Sequence, residues 1–263
     1  MERTADGAGP MNDEVSQAII DAVKPTVVAV YSRDRYRHPE HIGSGTILEV
    51  RGRWFVLTAA HVLDELSERA SLMWLAVGDW LGQVDVDLAS NIPPDGDRES
   101  DNRDFGFFEV DRDEMTNAGG AALRFSTTDL DEQPDTDALY LVLGFPSTRQ
   151  AEALVQGEEG KEIEGTVFPY RMTALPATPE AESGKVVNLD LKFDLEDIRL
   201  DGEHRNAPSP RGMSGGPAFS LSRSGVRLSG IIISHEGNTL RTTRPIVRLK
   251  GMESVYPELF PKT

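Results

Sequence analysis

The chain has 263 residues, no cysteine, and 44 acidic against 27 basic side chains, a formal net charge of −17. Such a chain can hold no disulfide framework and no cysteine-based metal or redox site, and its excess of carboxylates repels phosphate backbones and anionic membrane surfaces. Nucleic-acid and membrane partners are therefore not expected, and the length suits one large or two small domains.

Residues 1–12 are small and polar and read as disordered. Val15, Ala18, Ile19, Ala22 and Val23 then recur at three and four residues. That spacing predicts a short helix, capped by Asn12 or Asp13 and ended by Pro25. Residues 1–24 carry Glu2, Asp6, Asp13, Glu14 and Asp21 and have no long apolar run. Neither a signal peptide nor a membrane span is read there, and a cytoplasmic location is expected. A strand follows over 27–31. Residues 32–42 are basic and aromatic and include His38 and His41. His-x-x-His can ligate a metal, but no third ligand is signposted and Pro39 opposes a helix that presents both rings on one face. The pair is read as part of a solvated loop, and no metal site is expected.

Two apolar runs at 46–50 and 54–58 flank Arg51-Gly52-Arg53 and read as a hairpin. It delivers Thr58-Ala59-Ala60-His61, a histidine behind two alanines small enough to leave room for an imidazole. Further strands are expected at 72–77 and 80–88. The polar loop 95–103 reads as a solvated face rather than a cation site. It leads to Asp104, at the entrance of Phe105-Gly106-Phe107-Phe108. Asp97 and Asp101 are nearby competitors, but only Asp104 directly precedes an apolar strand. Residues 113–134 read as a connection between two units. Beyond them, strands are expected at 138–143, 163–174, 186–193, 217–222, 226–235 and 245–250, with a loop at 176–184 and a short closing helix at 251–260. Many short strands separated by turn signals, with few helices, fit an all-β, antiparallel barrel architecture.

One stretch stands apart: Pro210-Arg211-Gly212-Met213-Ser214-Gly215-Gly216-Pro217. Alone it could be a turn. A serine between glycines ahead of an apolar strand, however, has an unshielded hydroxyl, and the glycines let backbone N–H groups turn toward a reacting carbonyl.

Together, Thr58-Ala59-Ala60-His61, Asp104 before its aromatic run, and Gly212-Met213-Ser214-Gly215-Gly216-Pro217 resemble the trypsin-like (chymotrypsin-fold) serine peptidases. Without cysteines the chain is similar to bacterial or intracellular members. The chain order His, Asp, Ser matches this family and neither the subtilisin nor the α/β-hydrolase order. The resemblance implies two antiparallel six-stranded β-barrels with a short N-terminal helix. Residues 13–112 would hold the helix and the first barrel, 113–134 the connection, and 135–263 the second barrel and the C-terminal segment. It also implies a cofactor-free serine endopeptidase working through an acyl-enzyme, with a protein or peptide substrate. Ser214 would be the nucleophile, His61 the general base and then acid, Asp104 the group that fixes the imidazole, and the N–H groups of Gly212 and Ser214 the oxyanion hole.

Gly230–Gly237 resembles the strand that borders the primary pocket, so Ser234, His235 and Glu236 are the expected substrate contacts. Ser234 would also bond Asp104, and His235 has the alternative of pointing to solvent. Two departures from the animal trypsins stand out. Met213 replaces the aspartate that pairs with a newly cleaved N-terminus, which argues against that mode of activation and for control by a regulatory partner or a conformational change. Pro208 replaces the aspartate at the pocket base, so no Lys or Arg preference is implied. The alternatives are an inactive barrel serving as a protein-binding scaffold and an esterase on the same fold.

Overall fold

A computed structural model describes residues 13–256, save 34–38, 70–71, 79, 94–95, 99–100, 102, 125–137, 151–153, 158–159, 164–166, 176–187, 193–197, 201–202, 206–207, 223–224, 244–251 and 253–255. The expected loop at 176–184 and strand at 245–250, along with His38, residues 1–12 and most of the expected closing helix, lie outside the described residues.

The N-terminal helix α1 (Asp13–Val23) forms as its periodicity requires and passes through a single 3₁₀ turn at Lys24–Thr26 into β1 (Val27–Arg33). β2 (Pro39–Val50) and β3 (Arg53–Thr58) follow as a hairpin. Its two linking residues, Arg51 and Gly52, have φ of 51° and 83°, the paired positive values of a turn that matches strand twist. Next come α2 (Ala60–Glu68), β4 (Met73–Val77), β5 (Trp80–Val84), β6 (Ala89–Ser90), β7 (Gly106–Val110), α3 (Arg112–Asn117) and β8 (Leu123–Arg124). The remaining elements are β9 (Leu139–Gly144), α4 (Ser147–Gln150), β10 (Leu154–Gly157), β11 (Gly160–Ile163), β12 (Phe168–Ala174), β13 (Asn188–Lys192), β14 (Ile198–Leu200), β15 (Glu203–Arg205), β16 (Pro217–Ser222), β17 (Gly225–Glu236) and β18 (Thr239–Thr243).

Two large sheets result. The first runs β5-β4-β1-β2-β3-β7-β6, with β8 parallel to β2, and the second is a closed barrel in the order β12-β13-β18-β17-β16-β9. The second matches the expected six strands. The first has eight, and its end strands β5 and β6 do not pair with each other among the described residues, so it is an open sheet. The hairpins β10–β11 and β14–β15 and the short helix α3 were not anticipated.

The strands of the first sheet are apolar on both faces because both faces are covered. Val28, Val30, Ile47, Val56, Leu75 and Phe108 pack inward, and α2 adds Val62, Leu63 and Leu66. The opposite residues of β1, namely Val27, Ala29 and Tyr31, meet Leu141, Leu143, Phe145 and Phe219 of the second unit. A separate core of Tyr140, Val142, Tyr170, Leu191, Met213 and Leu240 fills the closed barrel. Ile233 departs from this division. It belongs to β17 of the second barrel, yet it is 5% exposed and packs in the core of the first sheet. Truncation of such a side chain removes its transfer energy and leaves a cavity, at about 2–5 kcal/mol. Urea unfolding should therefore show Ile233→Ala losing about that much, whereas Ile92→Ala, at a position 85% exposed, changes stability by no more than about 0.5 kcal/mol. Equal effects of the two would contradict this packing.

Candidate active site

His61 does not end a strand, as its sequence context suggested, but lies in the first turn of α2. Early helix N–H groups have no partner within the helix, and the preceding residue, Ala59, offers no side-chain cap. The missing acceptor comes from 43 residues further along the chain. Asp104 Oδ1 accepts the His61 backbone N–H at 3.0 Å, and its Oδ2 lies 2.6 Å from His61 Nδ1. One carboxylate thus caps the helix and grips the ring. With a carboxylate beside it, Nδ1 is the nitrogen that donates, which leaves Nε2 as the basic one in the neutral ring. Asp104 is shielded, with 6% side-chain exposure against 36% for His61. Ala59 and Ala60 are fully buried, as expected of residues chosen for their small size.

Asp104 adopts φ 33°, a left-handed conformation that costs a non-glycine residue energy and persists only where its surroundings enforce it. Asn91 binds the next residue twice, since its N–H donates to the Phe105 carbonyl at 3.0 Å and its Oδ1 accepts the Phe105 N–H at 2.8 Å. Asp101 Oδ1 accepts the Arg103 N–H at 3.0 Å, and the Thr243 hydroxyl donates to the Arg103 carbonyl at 2.9 Å. Asp101 is thus no rival for the role of Asp104; it is a buried support for it. Burial opposes its charge, but hydrogen bonds from Asn91, the Arg103 N–H and Arg98 outweigh that and hold its carboxyl below the usual range. Asp97 is exposed.

In the serine loop, the Met213 N–H donates to the Pro210 carbonyl at 3.0 Å with Gly212 at φ 88°, a type II turn that requires a residue tolerant of positive φ. The Arg211 carbonyl accepts the Ser147 N–H at 2.8 Å. In a trans peptide the following N–H points the opposite way, so this bond turns the Gly212 N–H away from Ser147. The Gly212 carbonyl accepts from the Ser44 hydroxyl at 2.9 Å, and the Ser214 carbonyl from the Ser44 N–H at 2.7 Å. The N–H groups of Met213, Gly215 and Gly216 all donate to backbone carbonyls. Those of Gly212 and Ser214 donate no hydrogen bond among the described residues. Gly215 lies so close to β2 that an added Cβ would sit 2.0 Å from the Ser44 carbonyl oxygen. Met213 is completely buried in the second barrel's core. The Ser214 hydroxyl is half-buried and makes no hydrogen bond to the imidazole among the described residues.

His41 corrects the reading of residues 32–42 as a solvated loop. It belongs to β2, lies edge-on to Tyr31 with ring centroids 5.2 Å apart, and places Nδ1 3.3 Å from the Ser147 hydroxyl. Its Nε2 is buried without a hydrogen-bond partner. A Cβ on Gly212 would meet both Ser147 Oγ and the His41 ring, at 2.2 and 2.7 Å, so His41 lies beneath the serine loop. A β-strand rather than a helix carries it, so the argument from Pro39 against a helical ligand pair did not bear on its burial. Among the described residues no three histidine, aspartate or glutamate side chains converge as a metal site.

Ser234, His235 and Glu236 end β17 and are exposed. Ser234 pairs with Arg241 across the sheet and makes no bond to Asp104, contrary to expectation. A register shift between Ile232 and Ser234 accompanies the insertion of Ile233 into the first sheet's core. β16 pairs with β17 only as far as Ile231, and Ile232 is bonded by Gly215 and Gly216. From Ser234 on, β17 pairs only with β18 among the described residues. The supporting residues Asn91, Arg98, Ser147 and Thr243 carried no signal in the sequence beyond ordinary polarity.

No family model matches the chain, and no curated protein matches it. Among solved structures it is similar to Rv3671c from M. tuberculosis H37Rv, a serine-to-alanine mutant in its inactive form. That likeness has 17% identity and a TM-score of 0.53, and it covers 97% of this chain and 98% of the other. A chain from the structure of the Sesbania mosaic virus VPg protein aligns at 16% identity and a TM-score of 0.47, with 84% and 86% coverage. The fold is the chymotrypsin-like, two-unit β fold of the trypsin-like proteins. No described helix is long and apolar enough to cross a membrane.

Burial pushes the His41 imidazole down to about 4. The unfolded chain, with an ordinary histidine near 6.5, binds a proton in this window that the folded chain does not, so stability falls as pH drops from about 6.5 to about 4. The effect is at most about 3–4 kcal/mol. Thermal unfolding of wild type and His41→Gln across this range should show a flatter decline in the variant. Parallel declines would contradict the assignment.

Proposed function

We propose that the chain is a serine endopeptidase that cleaves protein or peptide substrates through Ser214, His61 and Asp104. The observation that carries this reading is the double hold of Asp104 on His61, at 3.0 and 2.6 Å; the Gly212 and Ser214 N–H groups, which donate no hydrogen bond among the described residues, support it.

In this mechanism His61 Nε2 takes the Ser214 proton as Oγ attacks the scissile carbonyl, because a free serine hydroxyl is too weak a nucleophile at neutral pH. The imidazolium that forms is stabilised by Asp104, which stays ionised. Negative charge developing on the carbonyl oxygen is met by the Gly212 and Ser214 N–H groups, a contribution of about 2.7–4 kcal/mol per donor in comparable sites. His61 then protonates the leaving amine, and water repeats the sequence on the acyl-enzyme. The Ser214 hydroxyl need not already bond the imidazole, since such bonds tighten in the substrate complex.

An extended substrate would add to the open edge of β17 beside Ser234, His235 and Glu236, with main-chain hydrogen bonds supplying recognition. Met213, buried and uncharged, makes a new N-terminus unnecessary for forming the loop. Restraint would fall to a regulatory partner or a conformational change, and the proposed setting is the cytoplasm.

Hydrolysis of a proteome-derived peptide library tests this reading. Wild type should cleave it, and Ser214→Ala and His61→Ala should lose about 10⁴–10⁶ in kcat with little change in thermal stability. Asp104→Asn should retain the fold but fall by about 10⁴. Cleavage that survives in Ser214→Ala would overturn the assignment, and its absence in wild type would favour a scaffold.

A further inference from the structure

His61 and Asp104 are carried by separate elements, α2 and the 91–105 loop, and their contact depends on how those elements are joined. Arg98 spans them. Its Nε donates to Asp64 Oδ2 at 2.7 Å, and its Nη1 to Asp101 Oδ2 at 2.7 Å and to Asn91 Oδ1 at 3.4 Å. Asp64 lies three residues beyond His61, on the same helix. Asn91 and Asp101, together with Thr243, bond the backbone on either side of Asp104. One planar guanidinium thus touches the helix that presents the imidazole and two of the side chains that hold the strained carboxylate loop.

We propose that Arg98 is a positioning residue that latches the His61 helix to the Asp104 loop, setting the approach of the carboxylate to the ring. Its effect on rate rests on the peptidase reading; its effect on the His61–Asp104 contact does not. Two features distinguish the latch from an ordinary surface pair. First, Asp101 is almost wholly buried, with side-chain exposure of 1%, so its end of the latch is fixed. Asp64 is 38% exposed, and such a pair adds little stability by itself, so the worth of that arm lies in where it holds α2. Second, the arrangement needs a rigid fork whose separate N–H groups reach two carboxylates at once. Lysine, a single point charge on a flexible stem, cannot reproduce that geometry.

Asp64→Asn and Arg98→Lys test the latch. Asp64→Asn leaves the buried Asp101 paired, and Arg98→Lys keeps the charge while removing the fork. The readouts are the low-field proton resonance of the His61 Nδ1–H, identified by its absence in His61→Ala, together with peptide kcat, KM and the thermal midpoint. Misplacement of a catalytic group by around an ångström costs up to about 100-fold. We expect both variants to lose roughly 10- to 100-fold in kcat, with KM and the melting temperature nearly unchanged and the resonance broadened or shifted. Wild-type kcat and an unchanged resonance in both variants would overturn the proposal, as would a fall in kcat that merely tracks lost thermal stability. If wild type cleaves no peptide, the peptidase reading fails and the resonance alone decides: intact in both variants, it removes the latch; perturbed, it supports it.

Discussion

The site depends on one carboxylate that does two jobs. Asp104 completes the N-terminus of α2 and holds the imidazole that the helix carries, so helix capping and ring orientation are the same interaction. Helix N-termini favour negative charge, and a short helix without a local cap gains from a distant one. This economy has a conformational cost at Asp104, whose φ 33° is sustained by Asn91, Asp101 and, from the second barrel, Thr243. The acid is therefore positioned by its own loop together with a residue of the second unit.

The serine loop depends on both units in the same way. Ser44 of β2 contributes its hydroxyl to the Gly212 carbonyl, its N–H to the Ser214 carbonyl and, as acceptor, its hydroxyl to the Phe145 N–H. Thr46 reaches the Gly215 carbonyl and Thr58 the Ser44 carbonyl. The first sheet thus clasps the loop that the second barrel supplies, and the close approach explains why Gly215 admits no side chain. With its carbonyls engaged in this way, the loop leaves two N–H groups over among the described residues, those of Gly212 and Ser214.

The three segments around His61, Asp104 and Ser214 stand out in the sequence because each is local: small residues before a histidine, an acid before an aromatic strand, and glycines around a serine. The strands were legible for the same reason, since apolar runs between turn signals need no long-range knowledge. What could not be read was whether a polar residue faces water or another polar group. Asp101 and Arg98 lie in a run of acids and bases indistinguishable from a solvated loop, and only the fold shows that Asp101 is buried. His41 was misread because its burial comes from Tyr31, Phe145 and the serine loop, the last two more than 100 residues away. The register of β17 was likewise hidden. The shift after Ile232 turns Ile233 into the first sheet's core and leaves Ser234 away from Asp104, although the residue pattern allowed that contact. The open first sheet, in place of a closed barrel, is a matter of pairing between distant strands and has no local signature.

The proposed activation of Ser214 by His61 is what covalent chemistry reads directly. Treatment of the native chain with a fluorophosphonate, followed by mass mapping, should give one adduct, on Ser214, and none in His61→Ala under the same conditions. A native, folded chain that forms no adduct, or forms it equally well without His61, would contradict the account.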